Sequence, residues 1–394
     1  MSKQLEREVW ALDRCSGCGL CVATCSKGML YWDEEAKHPM REIREKTIGL
    51  TQIPLDTCTF CQVFCEETCP RLHEPPALPA RRSVSAKTKG ITDSGETGAV
   101  IKNLLVGALS SGLVDGVVMN DMDPWTIKPR TRVMTRVGEI VDSVGVQGLW
   151  VPTLSALNEA VYEKKLHRIA VVGPPCVSEA VRTLLAAEDQ RLKPYKDAIA
   201  MTIASFCTGS YYPQAVYQFM HDMMGISPHE VKGLSVSTRD KELRILLWND
   251  ETKTVPLSKV EGYTRPGCAT CDDFLGESAD VAVGCVGAKD GYSTLITRSE
   301  VGDLALENAA DLGLLEVVEE VDEAALKKAK EEKERRKRAE AFDELMLLML
   351  GALREPARRA EVKQEFIRLY EIDSIPEPVE EGKRYGACAG CTGC

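Results

Sequence analysis

RIAVVGPPCVSEAVRTLLAA, residues 168–187, passes from a short apolar, partly β-branched run into helical spacing across a Gly-Pro-Pro-Cys junction. Residues 168–173 read as a buried strand and 177–187 as a helix. Strand-like runs recur at 113–119 (LVDGVVM) and 198–206 (AIAMTIASF), with helical spacing over 97–111 and 155–164. This alternation predicts an α/β domain with a largely parallel sheet. Open sheets of that class bind ligands outside the carboxyl ends of their strands. Cys176 stands at such an end, and Cys207 in Phe206-Cys207-Thr208-Gly209 stands at the next one. Cys268-Ala269-Thr270-Cys271 supplies two more thiols, so the four form a candidate quartet for a metal cluster assembled from distant segments. Cys285, in an apolar strand-like run, reads as core.

Upstream the thiols crowd together. Cys15, Cys18, Cys21 and Cys25 follow C-x2-C-x2-C-x3-C, a spacing in which three thiolates reach one cubane cluster and the fourth points to a second. Cys58, Cys61, Cys65 and Cys69 follow, closing on Cys69-Pro70 with one residue more than the standard run. The pattern assigns Cys15, Cys18, Cys21 and Cys69 to one 4Fe-4S cluster and Cys25, Cys58, Cys61 and Cys65 to another. A pair of zinc knuckles is the alternative use of C-x2-C pairs, but zinc does not require eight cysteines in two interleaved quartets.

Composition narrows the classes further. The 394 residues carry 49 Lys and Arg against 60 Asp and Glu, a net charge of -11, which excludes a generic nucleic-acid binder that must neutralise phosphates. No stretch approaches the length of apolar residues that a membrane span needs, residues 345–353 (LMLLMLGAL) being too short. The first residues have no apolar signal core. The expected location is therefore the cytoplasm, where 16 cysteines serve as ligands or redox groups rather than bridges.

The later part of the chain changes character. Residues 327–341 (KKAKEEKERRKRAEA) place opposite charges at helical spacing, which predicts an exposed, solvated helix. The last nine residues hold Cys388, Cys391 and Cys394 at C-x2-C-x2-C among glycines. They offer three ligands for a further cluster, or a tail of free thiols; the spacing suits both.

Five stretches, in order, resemble the beta subunits of coenzyme F420-reducing hydrogenase, F420-dependent formate dehydrogenase and the related F420 dehydrogenases. They are the N-terminal cysteines, DSGETGAVIKNLLVGALSSGLVDGVV, HRIAVVGPPCVSEAVRTL, IASFCTGS, and GCATCDDFLGESADVAVGCVGAKDGYSTLITRSEVGDLAL, together spanning about residues 10 to 310. The resemblance implies an α/β domain that binds FAD and takes F420 as substrate, with Cys176, Cys207, Cys268 and Cys271 holding a 4Fe-4S cluster near the flavin. It places Ser94, Gly95, Thr97 and Gly98 on the family's Gly-rich flavin-contacting stretch, and Gly287, Lys289, Gly291 and Tyr292 on a later loop near the cofactor. Glu96 stands where relatives have glycine, so it is expected to point away from any phosphate. F420 has an anionic tail, which makes Lys289 and Arg298 candidate cations for its pocket.

The chain is thus expected to comprise a ferredoxin-like two-cluster domain (1–78), an FAD- and F420-binding α/β domain with a further cluster (79–315), and a charged helical extension ending in the Cys-rich tail (316–394). By resemblance it is an electron-transfer flavoprotein subunit. It would exchange a hydride between F420 and FAD and pass single electrons through three or four clusters to or from a catalytic subunit of a larger complex of hydrogenase, formate dehydrogenase or heterodisulfide reductase type. A ferredoxin-dependent reductase of a tetrapyrrole, with the same architecture, is the second reading. The hydride and electron transfer of the first reading needs no catalytic acid or base, and the sequence presents no paired carboxylates or triad for one.

Overall fold

The computed structural model describes residues 3–33, 36–42, 44–48, 51–55, 61, 64–89, 96–123, 125–126, 128–144, 146 and 148–337. The body is built from strands β1 (Arg82–Thr88), β2 (Gly116–Met122), β3 (Pro129–Met134), β4 (Ile169–Gly173), β5 (Ile199–Ser205), β6 (Val231–Ser237), β7 (Glu242–Leu247), β8 (Thr252–Pro256), β9 (Val281–Gly284), β10 (Ser293–Thr297) and β11 (Leu315–Val318). Its longer helices are α1 (Thr97–Ser110), α2 (Pro175–Ala186), α3 (Pro213–Met224) and α4 (Glu300–Asp311).

Eight strands form one sheet in the order β11-β1-β10-β9-β5-β4-β2-β3. Only β2, β4, β5 and β9 run parallel; β3 pairs antiparallel to β2, and β10, β1 and β11 extend the other edge antiparallel. The expectation of a largely parallel sheet is corrected accordingly. Short connections after β2 and β9 cannot accommodate a crossover, so each returns as a hairpin. A second sheet, β6-β7-β8, is wholly antiparallel.

Each face of the main sheet owns a core. On one, Val100, Ile101, Leu104, Leu105 and Ala108 of α1 meet Ala305, Leu306 and Ala309 of α4 over Val117, Ile203 and Val283. A Cβ at Gly107 would lie 3.0 Å from the Ala309 Cα, which is why the two helices approach so closely there. On the other face Val177, Ala180, Val181 and Leu184 of α2 pack with Ile169 and Val171, and the same cluster takes in Leu20, Ala23 and Phe64 from the N-terminal segment. That segment shares its core with the α/β body instead of closing one of its own, and residues 1–336 make a single compact unit.

The compact unit also passes the expected boundary at 315. Residues 323–337 are helical. Leu326 enters the core of Phe206 and Phe274. Lys333 is only 3% exposed and donates to the carbonyls of Cys207 (2.8 Å) and Asp273 (2.6 Å). Arg336 donates to the Thr208 carbonyl at 2.9 Å, and Lys330 pairs with Glu277 at 2.5 Å. The reading of this run as a solvated face is corrected for one side only: Lys330, Lys333 and Arg336 are spent on carbonyls and a carboxylate of the body, while Lys327, Lys328, Glu331 and Arg335 are exposed. Its continuation beyond 337, the apolar patch 345–353, and Cys388, Cys391 and Cys394 lie outside the described residues.

One buried carboxylate ties β5 to β9 and α2. Asp280, 7% exposed, accepts from the Thr202 N–H and hydroxyl, both at 2.8 Å, and from Arg182 Nη2 at 2.7 Å. Asp280→Ala would strand a guanidinium and an N–H, and is expected to cost about 3 kcal/mol or more. The measurement is the midpoint of urea unfolding followed by far-ultraviolet circular dichroism.

Candidate functional site

Three sets of thiols and one cleft are strung through the compact unit. In the first set Cys15, Cys18, Cys21 and Cys69 line one cavity together with Arg71. The loop that brings them round needs left-handed backbone at Gly17 (φ +77°) and Gly19 (φ +89°), conformations that glycine adopts freely. In the second set Cys25, Cys61 and Cys65 line a cavity with Trp10, Leu30 and Phe64. Cys58, assigned to that set, lies outside the described residues.

The third set comes from three segments. Cys176 opens α2 directly beyond β4, Cys207 follows β5, and Cys268 and Cys271 sit on a short turn beginning at Pro266. The thiols are near enough to act on one another: Cys176 on Cys207 and Cys271, and Cys207 on Cys268 and Cys271. Two hydroxyls beside them, Ser178 Oγ and Thr208 Oγ1, are buried without a hydrogen-bond partner. Nε and Nη2 of Arg71 meet no oxygen acceptor. Buried donors close to converging thiols suit a body rich in sulfur acceptors. These residues fit 4Fe-4S clusters, in which burial and hydrogen bonds to sulfur set the potential.

Burial dominates the chemistry of the first and third sets. It pushes the Cys15 thiol up to about 11 against the pull of Arg265, and Cys69 up to about 12. Cys207 rises to about 11 for the same reason, opposed by Lys333. Cys18, Cys21, Cys176 and Cys268 are likewise raised by burial. As free thiols these groups would keep their protons at neutral pH; coordination to metal removes them. Burial works against the Lys333 ammonium, but the thiols of Cys271, Cys207 and Cys268 outweigh it and hold its pKa above the ordinary value.

The first and third sets touch through their loops. A Cβ at Gly267 would come within 2.2 Å of the Cys15 carbonyl oxygen, so the turn before Cys268 lies directly on the Cys15 loop. Arg265, 1% exposed, is enclosed by Trp150, Tyr212 and Trp32, with ring centroids 4.2, 5.2 and 5.5 Å from its guanidinium. It donates to the carbonyls of Lys37 (2.5 Å), Ala36 (3.4 Å) and Cys15 (3.5 Å). Trp150 Nε1 adds a bond to the Gly17 carbonyl at 3.0 Å.

The cleft opens at the carboxyl ends of β4, β5 and β9, between the main sheet, the start of α1 and the edge of β6. Thr97 and Gly98 line it; Ser94 and Gly95 lie outside the described residues. Glu96 is exposed. Gly287, Lys289, Gly291 and Tyr292 sit on the β9–β10 connection beyond the lining, which approaches the cleft through Ser293, whose hydroxyl is 3.3 Å from that of Thr97. There Lys289 lies over the Tyr292 ring at 4.6 Å. Arg298, expected as a pocket cation, is 6% exposed, donates to the Leu275 carbonyl, and is not among the residues that line the cleft. The cation among the described lining residues is Lys102, which donates to the carbonyls of Ser143 and Val141 and whose pKa burial lowers. Nothing in its sequence setting set it apart from a surface lysine of an amphipathic helix.

One residue belongs to both parts of the site. Cys207 is a member of the third thiol set and also lines the cleft, together with its neighbours Ser205, Phe206 and Thr208.

Comparison with known proteins places the chain in a family. The family described as "Coenzyme F420 hydrogenase/dehydrogenase, beta subunit" is matched in both its parts, the N-terminal one by residues 83–158 and the C-terminal one by residues 166–323. Residues 14–72 match a "4Fe-4S dicluster domain". A protein of Methanocaldococcus jannaschii described as uncharacterized is 34% identical over 349 residues, covering 83% of this chain and 95% of its own. A coenzyme F420 hydrogenase subunit beta of Methanosarcina barkeri is 32% identical over 60% of this chain and 82% of that protein. Among solved structures, a chain of the F420-reducing [NiFe] hydrogenase complex from the same species superposes with a TM-score of 0.61 at 25% identity, over 68% of this chain and 93% of that one.

Proposed function

The chain belongs to the family of coenzyme F420 hydrogenase/dehydrogenase beta subunits, and we propose that it exchanges a hydride between coenzyme F420 and FAD held in the cleft and passes single electrons through 4Fe-4S clusters to or from a partner oxidoreductase. The observation that carries this reading is the double membership of Cys207, which sets the cleft against the third thiol set with no intervening layer of protein. A flavin accepts hydride from a deazaflavin and gives up electrons singly, so it supplies the conversion that neither F420 nor a cluster can perform alone.

The residues of this chain supply binding, orientation and exclusion of water. Gly98, Gly148, Gly173, Gly209 and Gly284 are among the residues of the cleft wall, and a Cβ at Gly148, Gly173, Gly209 or Gly284 would press on a neighbouring side chain. The 14-residue α1 begins at the cleft, which Thr97 and Gly98 line, and the N–H groups of a helix's first turn favour a pyrophosphate. Lys102, one turn on, adds positive charge at the same end. Cys176, Cys207, Cys268 and Cys271 would hold the third cluster, beside the cleft, Cys15, Cys18, Cys21 and Cys69 the first, next along the route, and Cys25, Cys61 and Cys65 with Cys58 the outermost.

Anaerobic purification, quantification of iron, sulfide and flavin, and addition of reduced F420 with the visible spectrum recorded test this reading. Bleaching of flavin and cluster bands with appearance of oxidised F420 is the expected result. A loaded protein that remains oxidised in reduced F420 would overturn the substrate, and a colourless protein containing zinc would overturn the cofactors.

A further inference from the structure

Between the first and third thiol sets lies a buried ion pair that neither set needs for ligation. Arg71 follows Cys69 by two residues and lines the cavity of the first set. Glu179 lies on α2, three residues after Cys176 of the third. Arg71 Nη1 stands 3.2 Å from Glu179 Oε2, with both side chains largely buried. The guanidinium charge acts on the thiols of Cys15, Cys18 and Cys69 on one side and of Cys176 and Cys271 on the other. Its Nε and Nη2 meet no oxygen acceptor, and its side chain hydrogen-bonds toward the Cys271 sulfur. Donors left to sulfur and a buried charge between two thiol sets are costly features for a fold that needed only a salt bridge.

We infer that Arg71 and Glu179 form an electrostatic coupler that sets the potentials of the first and third clusters together while leaving the outer one alone. The inference rests on the cluster reading given above. Reduction adds one negative charge to a cluster, and a nearby buried cation favours it while a nearby carboxylate opposes it. Because Arg71 faces both sets, its charge moves both potentials in the same direction and so preserves the step between them. The Cys25 set has its own cavity, which Arg71 does not line. Arg71 is a positioning residue here: it acts on the clusters through charge and through N–H donors to sulfur.

The test is a potentiometric titration of the full, iron-loaded chain followed by electron paramagnetic resonance, after metal analysis. Signals are assigned with Cys207→Ser for the third cluster and Cys25→Ser for the outer one. Arg71→Met is expected to lower the reduced-to-oxidised ratio of the first and third clusters at a fixed potential by roughly tenfold, about 59 mV for a one-electron couple. Glu179→Gln is expected to shift the same two clusters in the opposite direction, and Arg71→Lys to restore most of the Arg71→Met change. A purely structural role would not produce shifts of opposite sign. Equal shifts in all clusters, or none in the first and third, would overturn the coupler. If Arg71→Met fails to assemble, the sign and selectivity of the Glu179→Gln shift decide alone. Wild-type protein without iron would instead overturn the cluster reading, and metal analysis shows that before any titration.

Discussion

Cys207→Ser is expected to purify with about four fewer iron atoms per chain. Serine in place of a buried thiol is a poor ligand, because its hydroxyl must give up a proton that burial already holds on the wild-type thiol. On the proposed reading a flavin in the cleft should still bleach in reduced F420, since serine nearly preserves the shape of the cleft wall at this position. The N-terminal clusters should then remain oxidised over seconds, because the route out of the cleft has lost its first station. Rapid-mixing absorbance at flavin and cluster wavelengths separates the two events. Cys285→Ser is the control for iron content: that thiol is engaged with the Thr238 hydroxyl at 3.1 Å and lies outside the third set. Unchanged iron in Cys207→Ser would mean that the third set holds no cluster.

Arg265→Ala should cost about 3 to 5 kcal/mol of stability, the scale for removing one member of a buried charged network. The deletion removes the cation from within three aromatic rings and leaves the carbonyls of Lys37, Ala36 and Cys15 without their shared donor. Lysine should rescue little, because a point ammonium can neither stack on Trp150 nor reach three carbonyls at once. The loss should appear first at the Cys15 loop. Iron released during urea titration is therefore expected to precede the far-ultraviolet signal in the variant and to coincide with it in the wild type.

Much of the site was legible because cysteine spacing is local information. The pattern from Cys15 to Cys69 and the strand-end positions of Cys176 and Cys207 were open to reading, as was the pairing of Cys268 with Cys271. Strands β4 and β5 were visible as β-branched apolar runs with clean ends. The direction of an edge strand is not local: β1 pairs with β10, more than 200 residues away, and nothing within residues 82–88 fixes that partner. The β6-β7-β8 sheet was missed because its strands mix polar and apolar positions without a continuous buried run. Lys333 was unreadable for a related reason. Its acceptors are the carbonyls of Cys207 and Asp273, which lie 126 and 60 residues earlier, and a lysine in a charge-dense helix carries no mark of such partners.

The core shared by the Leu20–Ala23 turn and α2 governs how the chain can be dissected. Its first 78 residues are not a cassette to be grafted onto another enzyme. Excising them would open one side of a core that includes Val118, Ile169, Val171 and Val181, leaving a wound of apolar surface prone to self-association. The excised piece would leave behind the packing that steadies Leu20, Ala23 and Phe64. Any minimal version built for biotechnology must therefore be trimmed from within loops, with both halves of that core kept in one polypeptide.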